Sequence, residues 1–291
     1  EDFLLHDLKI HKDSIRILTF EDRKLLSQFE GDPVSFVRSY MPAKTSRTFY
    51  LMIDEFQYAE EGGQRLKLLY DIMPKLKIII TGSSSLDIKA QVGKHLVGRI
   101  LTFHLYPFNF GEFLNARDKR LDRIYKENNA GLIKWLFDGK PFKFRAGKDI
   151  FAEEMIGRFE EYCIWGGYPS VVLSKTNMER RKVLNDIYSN YVLKDIKGLL
   201  ELATDKNLFL LSQYLAAQTG NIVVYQNLSQ ISHLDYRQMK KHLNILDETF
   251  ICAEVSPFFR NRQKELSKNP KIFFYDTGFR NSLVENMNSL D

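Results

Sequence analysis

Residues 50–58 read YLMIDEFQY: four apolar or aromatic positions, then the adjacent acids Asp54 and Glu55, then Phe56, Gln57 and Tyr58. A short apolar run bounded by polar residues reads as a buried strand. Two carboxylates at its mouth admit two readings. They start the helix that follows, where acids suit the positive end of the helix dipole, or they hold a metal ion and polarise a water. For an Asp-Glu pair after an apolar run, taken alone, the helix start is the ordinary outcome. The surrounding sequence decides.

Outward from this stretch, strand and helix signals alternate. SIRILTF (14–20) predicts a strand, and the acid-led EDRKLLSQF opens a helix running to about Tyr40. TFYLMID (48–54) is a second strand, GGQRLKLLYDIMPK a short helix, and LKIIITGSSS (76–85) a third strand entering a polar turn. RILTFHLYPF (99–108) is a fourth candidate. Continuous apolar strands separated by helices indicate a parallel sheet covered on both faces, a three-layer α/β fold. From about 112 to 200 the pattern is helical and irregular, with a Gly-Gly and Pro stop in WGGYPSVV. From 205 onward come DKNLFLLSQYLAAQTG, YQNLSQIS and DYRQMKKHLNILDET, then strands FICAEVSPF and KIFFYD around the basic RNRQKELSKNP. Helix, helix-turn-helix and β hairpin is the order of a winged helix. The expected domains are an α/β core over 1–115, a helical region over 116–202, a winged helix over 203–257 and the start of a further module over 258–291.

Composition bounds the rest. The chain has 291 residues and 44% hydrophobic content, which suits about two globular domains. It holds no apolar run of about 18 residues or more, so no membrane span is expected, and its first residues lack a secretory pattern. Cys163 and Cys252 stand far apart among apolar neighbours, the usage of buried free thiols in a reducing, cytoplasmic setting. A net charge of +5 permits nucleic-acid contact without demanding it.

A strand ending in two hydrophobic residues followed by Asp-Glu is the Walker B arrangement of nucleotide hydrolases. Asp54 would bind Mg2+ directly or through water, and Glu55 would orient or deprotonate the attacking water. Phosphoryl transfer needs positioning and charge neutralisation more than covalent chemistry, so a rigid strand end suits it. The next strand ends in Thr81-Gly82-Ser83-Ser84-Ser85, where a polar side chain would sit beside the same γ-phosphate, and KHLVGRI delivers Arg99 as a charge-stabilising candidate. Singly, TGSSS is an ordinary turn and Arg99 an ordinary surface residue; their order and spacing give them weight.

With these stretches in hand, LMIDEFQYA, LKIIITGSSSL, LVGRILTFHLYPFNFGEFL and WGGYPSVV together resemble the AAA-type ATPases of bacteria and archaea related to the archaeal ATPase family. Those proteins carry a C-terminal domain of unknown function with a winged helix and a restriction-endonuclease-like module, which YVLKDI, MKKHLNILDETFICAEVSPF and KIFFYDTGFRNSL also resemble. The resemblance implies ATP and Mg2+ as cofactors. It makes Asp54 the Mg2+ acid, Glu55 the catalytic glutamate and Ser83 the sensor, with Arg99 in a nucleotide-contacting or structural role; Thr81, at the same strand end, is a further candidate for nucleotide contact. It leaves homo-oligomerisation open.

Such an enzyme needs a phosphate loop, G-x-x-x-x-G-K-[ST]. The pairs Gly93-Lys94, Gly139-Lys140 and Gly147-Lys148 are followed by His, Pro and Asp, and all lie after the Walker B strand. EDFLLHDLKIHKD resembles the end of the helix that follows the loop, so the expectation is a fragment whose loop lies just upstream. The other reading is a non-hydrolysing scaffold that binds nucleic acid or protein.

In the winged-helix segment, Arg237, Gln238, Lys240 and Lys241 lie near the start of the recognition helix. The loop adds Arg260, Arg262, Lys264, Lys268 and Lys271 against Glu265. Such a cluster would pair with the phosphates of double-stranded DNA; a solvated turn and protein contact are the plainer alternatives. Asp276 in FFYDTGF reads as a turn former, although a nuclease-like module could use such an acid for a metal. The six histidines show no zinc spacing.

Overall fold

Ile15–Thr19 (β1), Phe49–Asp54 (β2) and Leu76–Ile80 (β3) form a parallel sheet in the order β1-β2-β3. The register sets Thr19 beside Asp54 and Ile53 beside Ile80. In this computed structural model residues 2–42, 47–82, 92–139, 141, 150–189 and 205–288 are described. The chain divides into two units, Glu1–Phe103 and His104–Asp291.

In the first unit, the helix expected to run to Tyr40 is two helices, Arg23–Gly31 (α1) and Pro33–Tyr40 (α2). Asp32 breaks it. Its backbone is extended, its carboxylate caps Val34 N and Ser35 N at 3.0 Å each, and Pro33 supplies a first-turn residue with no N–H to satisfy. Gly62–Ile72 (α3) connects β2 to β3. Right-handed crossovers that step the same way across a sheet lay their helices on the same face. Accordingly one face is packed: Leu18, Phe49, Leu51, Ile53 and Leu76 join Phe29, Val37, Leu66 and Leu69 in one buried cluster.

The opposite face carries Ile17, Met52 and Ile79, register neighbours across all three strands. Ile17 and Ile79 keep 46% and 44% of their surface exposed. Among the described residues the sheet is therefore one layer of helices on one layer of strands, where two helical layers were expected. The fourth predicted strand, 99–108, is irregular, with Leu101, Phe103 and Leu105 at 84%, 82% and 92% exposure. A strand needs a neighbour, and among the described residues β3 has none beyond β2.

The second unit is mostly helical: Phe110–Arg117 (α4), Lys119–Asp138 (α5), Ala152–Trp165 (α6), Pro169–Leu173 (α7) and Asn177–Ile187 (α8). Capping boxes at Asn109/Glu112 and Thr176/Glu179 fix the starts of α4 and α8. Three helices converge on one carboxylate. Glu161 on α6 accepts from Arg180 at 2.6 Å, Arg158 at 2.7 Å and Arg117 at 3.0 Å, and Arg180 is itself buried. Although burial opposes ionisation, the arginines hold this carboxyl below the usual glutamate range.

The rest of the unit runs Asp205–Ala217 (α9), Tyr225–Ser232 (α10), Tyr236–Glu248 (α11), Cys252–Val255 (β4), Arg262–Ser267 (α12), Lys271–Phe274 (β5) and Thr277–Leu283 (α13). β4 and β5 are antiparallel, and Ile222 bridges to Lys271 on the other side of β5.

Because Glu161 neutralises three guanidinium groups, Glu161→Gln should cost about 3 kcal/mol through the charges left uncompensated. The neighbouring Glu160→Gln, on an exposed position, should stay within about 0.5 kcal/mol. Urea unfolding of the full chain measures both.

Candidate functional site

Asp54 and Glu55 sit at the carboxyl end of β2, the edge at which open parallel sheets bind ligands. Asp54 is exposed and is the last strand residue; its carbonyl accepts from Phe20 N at 3.0 Å, which ties it to the end of β1. Thr81, just past β3, donates its hydroxyl to the Asp54 carboxylate. Thr81 N donates to Ile53 O and Phe56 N to Thr81 O, each at 2.9 Å. The acid pair is thereby clamped between two strand ends.

Glu55 has φ 54° and ψ 43°, the left-handed region that costs a side-chain-bearing residue roughly 1–2 kcal/mol. Phe56, fully buried against Phe20 and Phe29 with ring centroids 5.7 and 6.1 Å away, holds the turn in that shape. Glu55 makes no capping bond to the short turn that follows; its carboxylate accepts from Gln57 Nε2. The helix-start reading of this pair therefore fails locally. The next full helix begins only at Gly62, with Glu61 before it and no side-chain cap there.

Of the other residues named for this site, Thr81 is at the acid pair, while Ser83 lies outside the described residues. Arg99 is elsewhere. Its guanidinium pairs with Asp71 at 2.8 Å and lies 5.1 Å from the Tyr70 ring centroid. Asp71 is in the last turn of α3, which leads into the start of β3, so this pair marks the edge of the sheet opposite Asp54. Among the described residues no group of three or more His, Cys, Asp or Glu converges on one point. That donor set fits Mg2+, which is commonly held by one or two carboxylates, with waters and substrate phosphates completing its shell.

Asp276 has a structural role. It caps α13 by accepting from Phe279 N at 2.7 Å and reaches across to accept from Gly167 N at 2.7 Å. Tyr168 and Gly278 add backbone donors. Gly166, at φ 76°, leaves the space its carboxylate fills, and a Cβ on Gly278 would overlap the Trp165 carbonyl. Asn281 seals the joint by donating to the carbonyls of Cys163 and Ile164 at 3.0 Å each. Separate Gly-rich motifs gave no sequence signal that they interlock.

On α11, Asp235 and Gln238 form a capping box, so Gln238 is spent on the helix start. Lys240 lies 3.7 Å from the Glu254 carboxylate and 3.7 Å from the Tyr225 ring centroid, engaged within the unit. Arg237 and Lys241 are exposed, and four-residue spacing puts them on one face. Arg260 is exposed in the β4–β5 loop, while the Arg262 side chain lies outside the described part. No helix among the described residues is long and apolar enough to cross a membrane.

Comparison with known proteins gives two family matches. Residues 3–114 match a family described as an AAA domain, and residues 156–290 match a domain of unknown function. The first match relates the sheet-bearing part to AAA-type ATPases. An uncharacterised protein of Haemophilus influenzae is 25% identical over 289 residues, covering 94% of this chain. One of Methanocaldococcus jannaschii is 21% identical over 231 residues, covering 79%. The matches span 62% and 46% of those relatives' own lengths.

Burial pushes the Asp276 carboxyl from 3.8 up to about 6, against the pull of its backbone donors. The native state thus keeps this proton to higher pH than the unfolded chain. The associated stability is fully present below about 3.8 and lost as pH rises through about 6. Buried His242, lowered from 6.5 chiefly by desolvation, acts oppositely: its contribution, present above 6.5, is lost as pH falls. The difference in unfolding free energy between the natural chain and Asp276→Asn isolates the first effect. It should narrow by roughly 2 kcal/mol between about pH 4 and about pH 7, as read by urea titration.

Proposed function

We propose that this chain is part of an AAA-type ATPase that binds and hydrolyses ATP with Mg2+ and couples this to DNA binding through its C-terminal unit. One observation carries the reading: Asp54 and Glu55 are held at the carboxyl edge of a parallel sheet by Thr81 and Phe56, with Glu55 in a left-handed turn that does no capping. The AAA-domain match over residues 3–114 supports it.

Asp54 would hold Mg2+, directly or through water. The metal, when bound, neutralises charge on the phosphate oxygens. Glu55, half-buried and oriented by Gln57, would position the attacking water and take its proton. Thr81 would keep the Asp54 carboxylate aimed along the sheet edge. Backbone strain held at such a position is consistent with a site that must stay preorganised.

The sheet also favours a phosphate-loop strand and helix outside these residues. Such a strand would precede β1 in the chain and pair with the free edge of β3. The connection from it to β1 would then step across the sheet in the opposite sense to the two seen. By the right-handed rule its helix would lie on the face of Ile17, Met52 and Ile79.

The order α9, Ile222, α10, α11, β4, α12, β5, with Ile222 and β4 flanking β5 and α12 in the connection between the two strands, supports a winged helix. In it Arg237 and Lys241 would meet duplex DNA. A second reading is a scaffold that does not hydrolyse nucleotide.

In the natural protein, Glu55→Gln should keep ATP affinity while turnover falls at least about 100-fold. Equal turnover would remove Glu55 from the chemistry; neither binding nor turnover in the natural protein would favour the scaffold. For DNA, Arg237→Ala and Lys241→Ala should each lower the slope of log affinity against log salt by about one, as read by duplex anisotropy titrations. Unchanged slopes would remove α11 from the interface.

A further inference from the structure

We propose that the outward face of the β4–β5 hairpin is a stacking platform for single-stranded nucleic acid, separate from the α11 surface. Directly paired strand residues share a face, so the pairs Ala253–Phe273 and Val255–Lys271 point one way. Glu254 and Ile272 point the other way: Ile272 is buried and Glu254 accepts from the Tyr225 hydroxyl at 3.0 Å. The bridge from Ile222 to Lys271 widens the outward face on one side. Tyr275, whose N–H donates to Ile251 O at 3.1 Å, continues it on the other.

Tyr106 stacks on Tyr275 with centroids 5.4 Å apart and planes 9° from parallel, and Phe250 meets Tyr275 edge-on at 5.7 Å. Ile222, Val255, Phe273, Tyr275 and Tyr106 each keep between 37% and 59% of their surface exposed. So long a run of open aromatic and aliphatic surface is unusual on a sheet whose other face is packed.

Charge selects the occupant. Lys271 stands on the face itself, and Arg260 and Lys268 are exposed in the segment that joins the two strands through α12. At the far end, Asp247 and Glu248 act on the Tyr275 hydroxyl, behind the larger effect of its burial. A strand would therefore run its phosphates over the Lys271 end and lay its bases on Phe273, Tyr275 and Tyr106. Single strands suit this face because their bases are free to stack on aromatic rings, whereas duplex bases are already stacked on one another.

The test is anisotropy of fluorescein-labelled oligothymidylate and oligouridylate with the full chain at two salt concentrations, beside a duplex of matched length. Salt-sensitive binding of a single strand is expected, with DNA or RNA preference read from the two oligomers. Phe273→Ala and, as a solvent-facing change that leaves the packing intact, Lys271→Glu should each weaken it roughly tenfold. Arg237→Ala with Lys241→Ala should leave it unchanged, which keeps this site distinguishable from the α11 reading. No binding, binding insensitive to Phe273→Ala and Lys271→Glu, or equal loss on the α11 changes would overturn the proposal. So would self-association by light scattering that those two changes abolish in the absence of single-strand binding, since the face would then serve a second copy of the chain.

Discussion

In the second unit the carboxylate of Asp276 joins segments more than a hundred residues apart. It takes backbone N–H groups from the turn after α6 and from the first turn of α13. Gly278 brings its backbone closer to the Trp165 carbonyl than any side chain would permit, and Gly166 leaves the space that the Asp276 carboxylate fills. An unsatisfied buried N–H costs about 1–3 kcal/mol, so one side chain that answers several of them is hard to replace. Asn281 and Thr277 reinforce the same joint by donating to carbonyls near the end of α6. This is why an acid in a Gly-containing motif, which invites a catalytic reading, belongs here to the architecture.

The first unit depends on a different constraint. Phe20, Phe29 and Phe56 pack beneath the carboxyl edge with centroids 5.0 to 6.1 Å apart. Phe56 cannot leave that cluster without exposing its ring, and β2 cannot shift without breaking register with both neighbours. The one residue between Asp54 and Phe56 must turn sharply, and Glu55 takes up the left-handed conformation that results. A glycine would do so at less cost. Glu61 and Glu285 take the same left-handed backbone region, so it is the position of Glu55 at the strand end, beside Asp54, that sets it apart.

The strands were legible because parallel strands are apolar throughout, and IRIL, YLMID and LKIII stand out against charged flanks. The acid pair was legible by position, at the end of such a run. The break at Asp32 was legible too in principle, since Asp-Pro is a start signal, but an apolar period that continues through it masks the change of axis. What a sequence does not carry is partnership. RILTFHLYPF has the composition of a strand, yet a strand exists only beside another. Lys240 and Gln238 look like neighbours of Arg237 and Lys241, but helix geometry turns them toward Glu254 and the Asp235 cap. Arg99 precedes an apolar run and could be aimed anywhere; its ion pair with Asp71 takes it to the far edge.

Side-chain parity links the bare sheet face to the acid pair. Alternate residues of a strand share a face, so Met52 and Asp54 point the same way, as do Ile17 with Thr19 and Ile79 with Thr81. The bond from the Thr81 hydroxyl to Asp54 is consistent with that row. The exposed apolar band of Ile17, Met52 and Ile79 therefore leads directly to the polar row of Thr19, Asp54 and Thr81 at the carboxyl edge. An element laid along the band with its N-terminus at that edge would bring backbone N–H groups and a positive dipole end beside the carboxylates. In the ATPase we propose, that element's N-terminus would hold phosphates and Asp54 the metal.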